Sequence, residues 1–263
     1  MERSEMINEF YTGYNEENRL SKSRHGQMEY RTTMHFIHRY LLQPGKILEL
    51  GAGTGRYSIA LAKEGNSVTA VELAERNLEL LRRNAEGLDN LTAYQGDAID
   101  LRRFADDSFD MTLVFGPLYH LYEAEERDAA LREAVRVTKP GGTILTAFLP
   151  IHGIMIDNYL GDSFPDGMEE NFTEAFRVRH FQDQLFTGYE IDELESLFRE
   201  LPVTHLTTVA ADGVLEMAEH NQAFSMSDEA FEAYARYHLH FCQCRELLGT
   251  SAHAIHICRK NSQ

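Results

Sequence analysis

The sequence is poor in cysteine and in basic residues, and it lacks any long hydrophobic run. Its three cysteines, Cys242, Cys244 and Cys258, are crowded near the end of the chain, so there is no disulfide framework and we expect a reducing, cytoplasmic setting. No apolar run approaches the ~20 residues that a membrane span requires, and the first residues, MERSEMI, lack a secretory pattern. We therefore expect neither a membrane protein nor a secreted one.

Positive charge is scarce, with 25 Lys and Arg residues against 42 Asp and Glu residues and a formal net charge of −17. Proteins that bind nucleic acid through its phosphates usually carry a basic face, so this balance weakens a nucleic-acid partner without excluding it. Basic residues do cluster between Arg19 and Lys46, and Glu29 is the one acidic residue in that stretch of the sequence. That segment is either a solvated helix face or a segment that closes over a site and meets an anion.

A length of 263 residues with 43% apolar content suits one large α/β domain, or one such domain with an insertion. The stretch KILELGAGTGRYS, from Lys46 to Ser58, organises it. A short apolar run of strand type is followed by a glycine-rich turn and then by a segment of helical character, residues 54–63. This order is typical of nucleotide-binding sites, because glycines let the backbone approach a ligand and the N–H groups of the new helix face it.

The spacing of the glycines distinguishes two kinds of nucleotide cofactor. A dinucleotide fingerprint reads G-x-G-x-x-G, whereas this turn reads G-x-G-x-G, with Arg56 in the place of the third glycine. Glu49 precedes the turn, and its carboxylate would repel a pyrophosphate but could pair with an ammonium group. Both features argue against a nicotinamide-dependent oxidoreductase.

The segment ELGAGTG resembles the first motif of the class I S-adenosylmethionine-dependent methyltransferases. The segment GPLYHL, from Gly116 to Leu121, resembles a loop in the small bacterial methyltransferases that act on small molecules. By the first resemblance Glu49 lies near the methionine ammonium group of the cofactor, and Gly51, Gly53 and Gly55 pass beneath it. The run RVTKPGGT, about 90 residues further on, resembles the turn before the fifth strand of the same fold. The resemblance covers roughly residues 44–209 and the final strand.

The second and third predicted strands end in acidic groups at the expected distances. Glu72 closes the strand SVTAVE, 17 positions after Gly55, and a carboxylate there can accept both ribose hydroxyls. The resemblance makes Leu73 a wall for the adenine, and it makes Asp97 and Ala98 contacts of the adenine ring. Asp97 could instead be an ordinary turn or helix-capping residue.

The segment after the fourth strand is where a methyl acceptor should arrive. Residues 111–115 form an apolar strand, and FGPLYHL begins at its end, with Phe115 predicted to contact the cofactor. The amino-methyltransferases of DNA carry Asp or Asn, two prolines and an aromatic here, and the polar residue is absent from this chain. Tyr119 and His120 are the candidates by position for catalysis, although either could simply shape the pocket.

The predicted fold is α/β, with a doubly wound, seven-stranded, mostly parallel sheet of Rossmann-like methyltransferase type and helical lid insertions. Residues 1–43 are predicted as an N-terminal helical cap, in which Tyr11, Tyr14 and Arg24 are lid residues near the cofactor. The remaining segments are a core at 44–149 and 191–263, a helical insertion at about 211–250, and a substrate-covering insertion at 150–190.

The run HLHFCQC, from His238 to Cys244, brings two histidines and two cysteines close together in sequence. The pattern around it predicts one long helix over residues 228–248. On a helix these four side chains point to different sides, and no second ligand cluster appears elsewhere in the sequence. We therefore predict no metal site.

The sequence thus predicts transfer of a methyl group from S-adenosylmethionine to a small nucleophilic molecule. Two alternatives stay open at this stage. One is a methyltransferase for a modified base of tRNA, to which the long insertions bear a loose likeness. The other is a protein that binds the cofactor without turnover.

Overall fold

The computed structural model describes residues 2–181 and 184–262, so Gln182 and Asp183, within the predicted insertion, lie outside the described residues. Among the described residues, no helix has the length and apolar character needed to cross a bilayer. The strands are β1 (Lys46–Leu50), β2 (Ser67–Glu72), β3 (Leu91–Gln95), β4 (Phe109–Val114), β5 (Thr138–Pro150), β6 (Gly188–Tyr189), β7 (Val203–Ala210) and β8 (Ala254–Lys260).

Helices surround this sheet and also extend before and between its strands. In chain order they are α1 (Arg3–Gly13), α2 (Arg19–Lys22), α3 (Arg24–Tyr40), α4 (Arg56–Lys63), α5 (Glu75–Asn84), α6 (Pro117–His120), α7 (Ala124–Val137), α8 (Ile151–Tyr159), α9 (Phe164–Asn171), α10 (Ile191–Leu197), α11 (Leu215–Glu219), α12 (Asp228–Phe241) and α13 (Arg245–Leu248), with a 3₁₀ turn at Glu16–Asn18.

The strands form one open sheet in the order β3-β2-β1-β4-β5-β8-β7, and the two-residue β6 pairs beside β5. The pairings from β3 to β5 are parallel, whereas β8 is antiparallel to both of its neighbours. The strand order reverses between β1 and β4, which is the switch point at which doubly wound sheets bind ligands. The predicted mostly parallel α/β sheet is confirmed.

The core lies on both faces of the sheet because successive strand residues point to opposite sides. On β1, Leu48 and Leu50 pack in a cluster with Leu131 of α7. Ile47 of the same strand packs in the other cluster, with Leu61 of α4. All of these residues are at most 2% exposed, so the glycine turn after β1 starts from a strand that is fixed on both faces.

The helix predicted over residues 228–248 is wrong in its continuity. The structure has α12 and α13 instead, separated by Cys242, Gln243 and Cys244. The backbone N–H of Ala210, at the end of β7, donates to the carbonyl of Cys242 at 2.8 Å. Because the Cys242 carbonyl accepts this bond from β7, one of the carbonyls at the end of α12 is satisfied outside the helix. The contact joins residues 32 positions apart, so the local sequence pattern does not reveal it.

Candidate functional site

A cavity of about 660 Å³ lies at the carboxyl ends of the parallel strands. Its wall includes Gly51 after β1, Leu73 after β2, Asp97 after β3 and Phe115 after β4. Further walls come from α1, α8 and the segments around α6 and before β8. The cavity therefore spans the switch point of the sheet, where this fold class places its ligands.

The glycines after β1 adopt backbone conformations that other residues rarely reach. Gly51 has φ +73° and Gly53 has φ +55°. A Cβ on Gly51 would lie 2.2 Å from the carbonyl oxygen of Phe115, so the β1 and β4 tips meet only because this position lacks a side chain. Gly55, with φ +90°, caps α4 beside Leu81 and is not in the cavity wall, so its predicted place beneath the cofactor has no support in this geometry.

Substituting Gly51→Ala should lower the free energy of unfolding by about 3 kcal/mol, since it adds a backbone clash to the positive φ. The matched control is Gly87→Ala, because Gly87 has φ +84° but nothing within 4 Å of the added Cβ. The control should cost about 1 kcal/mol, from backbone strain alone. Urea unfolding measures both, and equal losses would show that the contact with Phe115 is not what requires glycine.

Two of the three carboxyl groups predicted to contact the cofactor, those of Glu49 and Glu72, are deeply buried in the cavity wall. Glu49, at 1% exposure, accepts a hydrogen bond from the Ser58 hydroxyl, and burial raises its pKa to about 8. Glu72, at 5% exposure, accepts from the backbone N–H of Gly53 at 2.7 Å and of Ala74 at 2.8 Å. Burial raises the pKa of Glu72 to about 7, against the lowering effect of these two donors. Burial therefore makes both groups costly to ionise.

The tip of β3 is held by a residue that sequence reasoning missed. Asp97 lines the cavity with Ala98, as Leu73 does, but its carboxylate is bound by Arg3 of α1 at 2.6 Å. Arg3 also pairs with Glu126 of α7 at 3.1 Å. The N-terminal helix is thus attached across the predicted adenine end of the cavity. No local motif marks Arg3, because its partners lie about 90 and 120 residues away.

The three predicted lid residues take two different positions. Tyr11 and Tyr14 line the cavity. Arg24 does not: its guanidinium binds Asp228 at 2.5 Å and lies 4.7 Å from the ring centroid of Phe231, both on α12. The prediction that Arg24 contacts the cofactor is therefore not supported, since α12, more than 200 residues away in sequence, holds its side chain outside the cavity wall.

Of the Lys and Arg residues between Arg19 and Lys46, Arg19 is the one that lines the cavity. It lines the wall and forms a bidentate pair with Glu29, at 2.6 and 2.9 Å, and a further bond to Glu16 at 3.2 Å. The charge cluster in the sequence pointed to this segment, but the pattern could not select Arg19 over its neighbours. Because Glu29 and Glu16 neutralise the charge of Arg19, this side chain is not available to bind an anion.

Tyr119 and His120 both lie in the cavity wall. His120 has both ring nitrogens engaged, since Nδ1 lies 2.6 Å from the carbonyl oxygen of Leu185 and Nε2 lies 3.3 Å from the hydroxyl of Tyr11. Burial lowers the pKa of His120 to about 4, so the ring is neutral near pH 7, and the carbonyl requires the proton on Nδ1. His120 therefore links α1 to the insertion after β5, and neither nitrogen is free to take a proton.

A buried ionic cluster that the sequence did not reveal completes the opposite end of the cavity. The Nδ1 atom of His253 lies 2.8 Å from a carboxylate oxygen of Asp212 and 3.7 Å from one of Glu29. These three residues are the one group among residues 2–181 and 184–262 that could hold a metal ion. Their charges are already balanced by Arg19 and by a proton on His253, so a metal is not required. His238, of the HLHFCQC run, instead bonds the carbonyl of Ala210.

Comparison with known proteins matches part of the chain to a protein family. Residues 47–142 match the family model described as a methyltransferase domain. A demethylmenaquinone methyltransferase from Clavibacter sepedonicus is 45% identical over 101 residues, which is 38% of this chain and 39% of that protein. The chain thus matches well under two thirds of that relative's length.

Solved structures extend the similarity to the whole fold. The 1,6-didemethyltoxoflavin N1-methyltransferase of Burkholderia thailandensis matches with a TM-score of 0.62 and 15% identity, over 99% of this chain and 87% of that one. A protein from Pyrococcus horikoshii OT3 matches with a TM-score of 0.61 and 19% identity, over 96% and 99% of the two chains. At these identities the structures establish the fold alone. The matched residues 47–142, which include the glycine turn, form a methyltransferase domain, and the fold around them is similar to that of solved S-adenosylmethionine-dependent methyltransferases.

Proposed function

We propose that this protein transfers the methyl group of S-adenosylmethionine to a small organic molecule. The observation that carries the proposal is one cavity that joins the glycine turn and Glu72 to a separate polar end at Glu29 and His253. Its volume of about 660 Å³ lies within the range of about 300–1,000 Å³ typical of small-molecule sites. The demethylmenaquinone and didemethyltoxoflavin methyltransferases, by their names, also act on small molecules.

The groups at the glycine end suit this cofactor. Glu49 is a buried carboxyl with no basic partner among the described residues, which fits an incoming ammonium group. We assign Glu72 to the ribose hydroxyls, and Leu73, Asp97 and Ala98 to the adenine. Gly51, Gly53 and Phe115 would shape the floor beneath the cofactor, with Tyr14 above it. When bound, S-adenosylmethionine supplies a methyl group already activated by the positive charge on sulfur.

The protein's own contribution is then alignment and exclusion of water, because no nucleophile on the chain is required. Tyr119, on the short helix α6 that follows β4, is placed to orient the acceptor. We assign His120 a positioning role through Tyr11, since both of its ring nitrogens are engaged. The free cysteines are consistent with the reducing, cytoplasmic setting expected from the sequence.

Incubating the protein with methyl-labelled S-adenosylmethionine and cell extract should place the label in the small-molecule fraction. The extract is then separated into small-molecule, RNA and protein fractions. The matched control is the Glu72→Gln protein, in which cofactor binding is impaired. Label in RNA would favour the tRNA alternative instead. Cofactor binding without label in any fraction would favour a binding protein without turnover.

A further inference from the structure

The end of the cavity around Glu29 and His253 carries more acidic than basic side chains. Glu29 is paired with Arg19 at 2.6 and 2.9 Å, and His253 is paired with Asp212 at 2.8 Å, so these two pairs balance each other's charge. Three further carboxyl groups line the same cavity, those of Glu16, Asp157 and Glu216. This end therefore keeps a net negative charge, and a neutral His253 would make it more negative still.

Asp157, on α8, and Glu216, on α11, are the two carboxylates at this end that accept no hydrogen bond from a described residue, and we call them the free carboxylates. The closest ion-pair contact of Glu216 is the Nδ1 atom of His253 at 4.0 Å, which is already bound to Asp212. Burial and the neighbouring Glu216 carboxylate raise the pKa of Asp157 to about 6, so most of it is ionised at pH 7. Two like charges without a counter-charge are unfavourable, and a cationic ligand would remove that cost.

A buried amide in the same cavity wall gives a second indication that does not depend on charge. Gln184 is 4% exposed and lines the cavity. Its amide NH₂ group donates to Asn171 at 3.2 Å, whereas its Oε1 atom has no hydrogen-bond partner among the described residues. The Oε2 atom of Glu216 is likewise buried without a partner. An amide oxygen and a carboxylate oxygen can only accept, so a ligand that satisfies them has to bring hydrogen-bond donors.

The other basic side chains that line the cavity are Arg3, His25, Arg56 and His120. Arg3 and His25 are each bound to a carboxylate at 2.6 Å. Arg56 is exposed, with its guanidinium over an aromatic ring of α3, and His120 is neutral near pH 7. His220 interacts with Asp157, but it is exposed and is not part of the wall. The cation that pairs with the free carboxylates therefore has to come from a ligand.

We propose, on the basis of the methyl transfer proposed above, that Asp157 and Glu216 bind an ammonium group of the methyl acceptor, and that the acceptor is a small cationic amine. An ammonium group supplies a positive charge and N–H donors together, so it forms charge-assisted hydrogen bonds with the free carboxylates. Gln184 can accept a further donor of the same molecule. The ring of Tyr119, which lines this cavity, attracts a cation through its π face. An acceptor with a carboxylate or phosphate group would be repelled.

The first test is independent of turnover and separates a ligand-binding role from a structural one. Asp157→Asn and Glu216→Gln should each leave the urea midpoint of the ligand-free protein unchanged or higher, because each removes a charge that lacks a partner in the fold. The matched control is Glu169→Gln, which removes the same charge from an exposed position on α9 outside the cavity wall. A lower midpoint in either variant would assign that carboxylate to the fold and overturn its role in binding.

The second test uses the same extract and methyl-labelled S-adenosylmethionine. Asp157→Asn and Glu216→Gln should each lower the initial rate of labelling of the small-molecule fraction by about 10- to 100-fold, the effect of losing one hydrogen bond to a charged group. Affinity for S-adenosylhomocysteine, measured by calorimetry, should stay within about twofold of the wild type. Glu169→Gln should label at the rate of the wild type.

The charge of the labelled product tests the class of acceptor directly. Capillary electrophoresis of the small-molecule fraction at pH 7 should show the new label migrating as a cation. Because S-adenosylmethionine is itself a cation, a parallel incubation without extract locates the cofactor and its breakdown products. Mass spectrometry of the new peak should then identify an amine that carries one added methyl group.

The outcomes distinguish failure of this assignment from failure of methyl transfer. A labelled amine whose formation is lost in both variants supports the assignment. A labelled product that is neutral or anionic overturns the amine class and leaves methyl transfer standing, and wild-type labelling in Asp157→Asn or Glu216→Gln overturns the role of that carboxylate. Affinity for S-adenosylhomocysteine lowered more than twofold would assign the carboxylate to the cofactor instead. No small-molecule label with the wild-type protein overturns methyl transfer to a small molecule, and the amine acceptor with it.

Discussion

Replacing Glu72 by glutamine should weaken the binding of S-adenosylhomocysteine by about 10- to 100-fold, the loss expected for charge-assisted hydrogen bonds to the ribose. The carboxylate is held in place by the backbone N–H groups of Gly53 and Ala74, so its orientation is set before any ligand arrives. Glutamine has nearly the same shape but presents one amide NH₂ to these donors or to the ribose. Isothermal titration calorimetry at pH 8 measures the difference.

The pH dependence of binding gives this test a second, sharper readout. Burial raises the pKa of Glu72 to about 7, whereas binding of ribose hydroxyls favours the carboxylate. Affinity of the wild type should therefore rise between pH 6 and 8, and Glu72→Gln should lose that part of the rise. The exposed Glu86→Gln is the matched control with unchanged affinity. Affinity of Glu72→Gln within twofold of the wild type would remove Glu72 from the ribose site.

Local sequence was sufficient for the sheet and for the tips of its first strands. The glycine turn and Gly96-Asp97-Ala98 each follow a strand directly and Glu72 is the last residue of one, so the strands set the positions of all three. Parallel strands place such ends along one edge of a sheet, and the cavity wall contains residues from each of these three turns. The sequence alone therefore predicts that these residues lie close together, without any knowledge of long-range contacts.

Residues fixed by distant partners could not be located in this way. Arg24 and Arg19 lie five positions apart on either side of a break between helices, so periodicity could not say which one faces the cavity. The answer depends on Asp228, which draws Arg24 away, and on Glu29, which holds Arg19. Asp212 and His253 are 41 positions apart and carry no shared motif. They meet only through the pairing of β7 with β8.

Glu49 makes the empty protein lose stability as the pH rises, and removing its charge should abolish that loss. Its folded-state pKa of about 8 lies above the usual value of 4.5, so its contribution is fully present below pH 4.5 and is lost as the pH rises through 8. The corresponding free energy is on the order of 3 to 5 kcal/mol. Glu49→Gln should therefore be more stable than the wild type at pH 8 and about equally stable at pH 5.

The effect of Glu49 is the difference in the free energy of unfolding between Glu49→Gln and the wild type at each pH, because other groups titrate in the same pH range. Glu72 and His253, with pKa values raised to about 7 and about 9, also lose stability as the pH rises, but they do so in both proteins. Urea unfolding at pH 5 and pH 8 isolates Glu49, and Glu86→Gln should follow the wild type. Saturating S-adenosylhomocysteine should flatten the slope of the wild type if its ammonium group pairs with Glu49. Equal slopes for Glu49→Gln and the wild type would mean that Glu49 ionises as easily as an exposed carboxyl group, and the ammonium assignment would lose its physical basis.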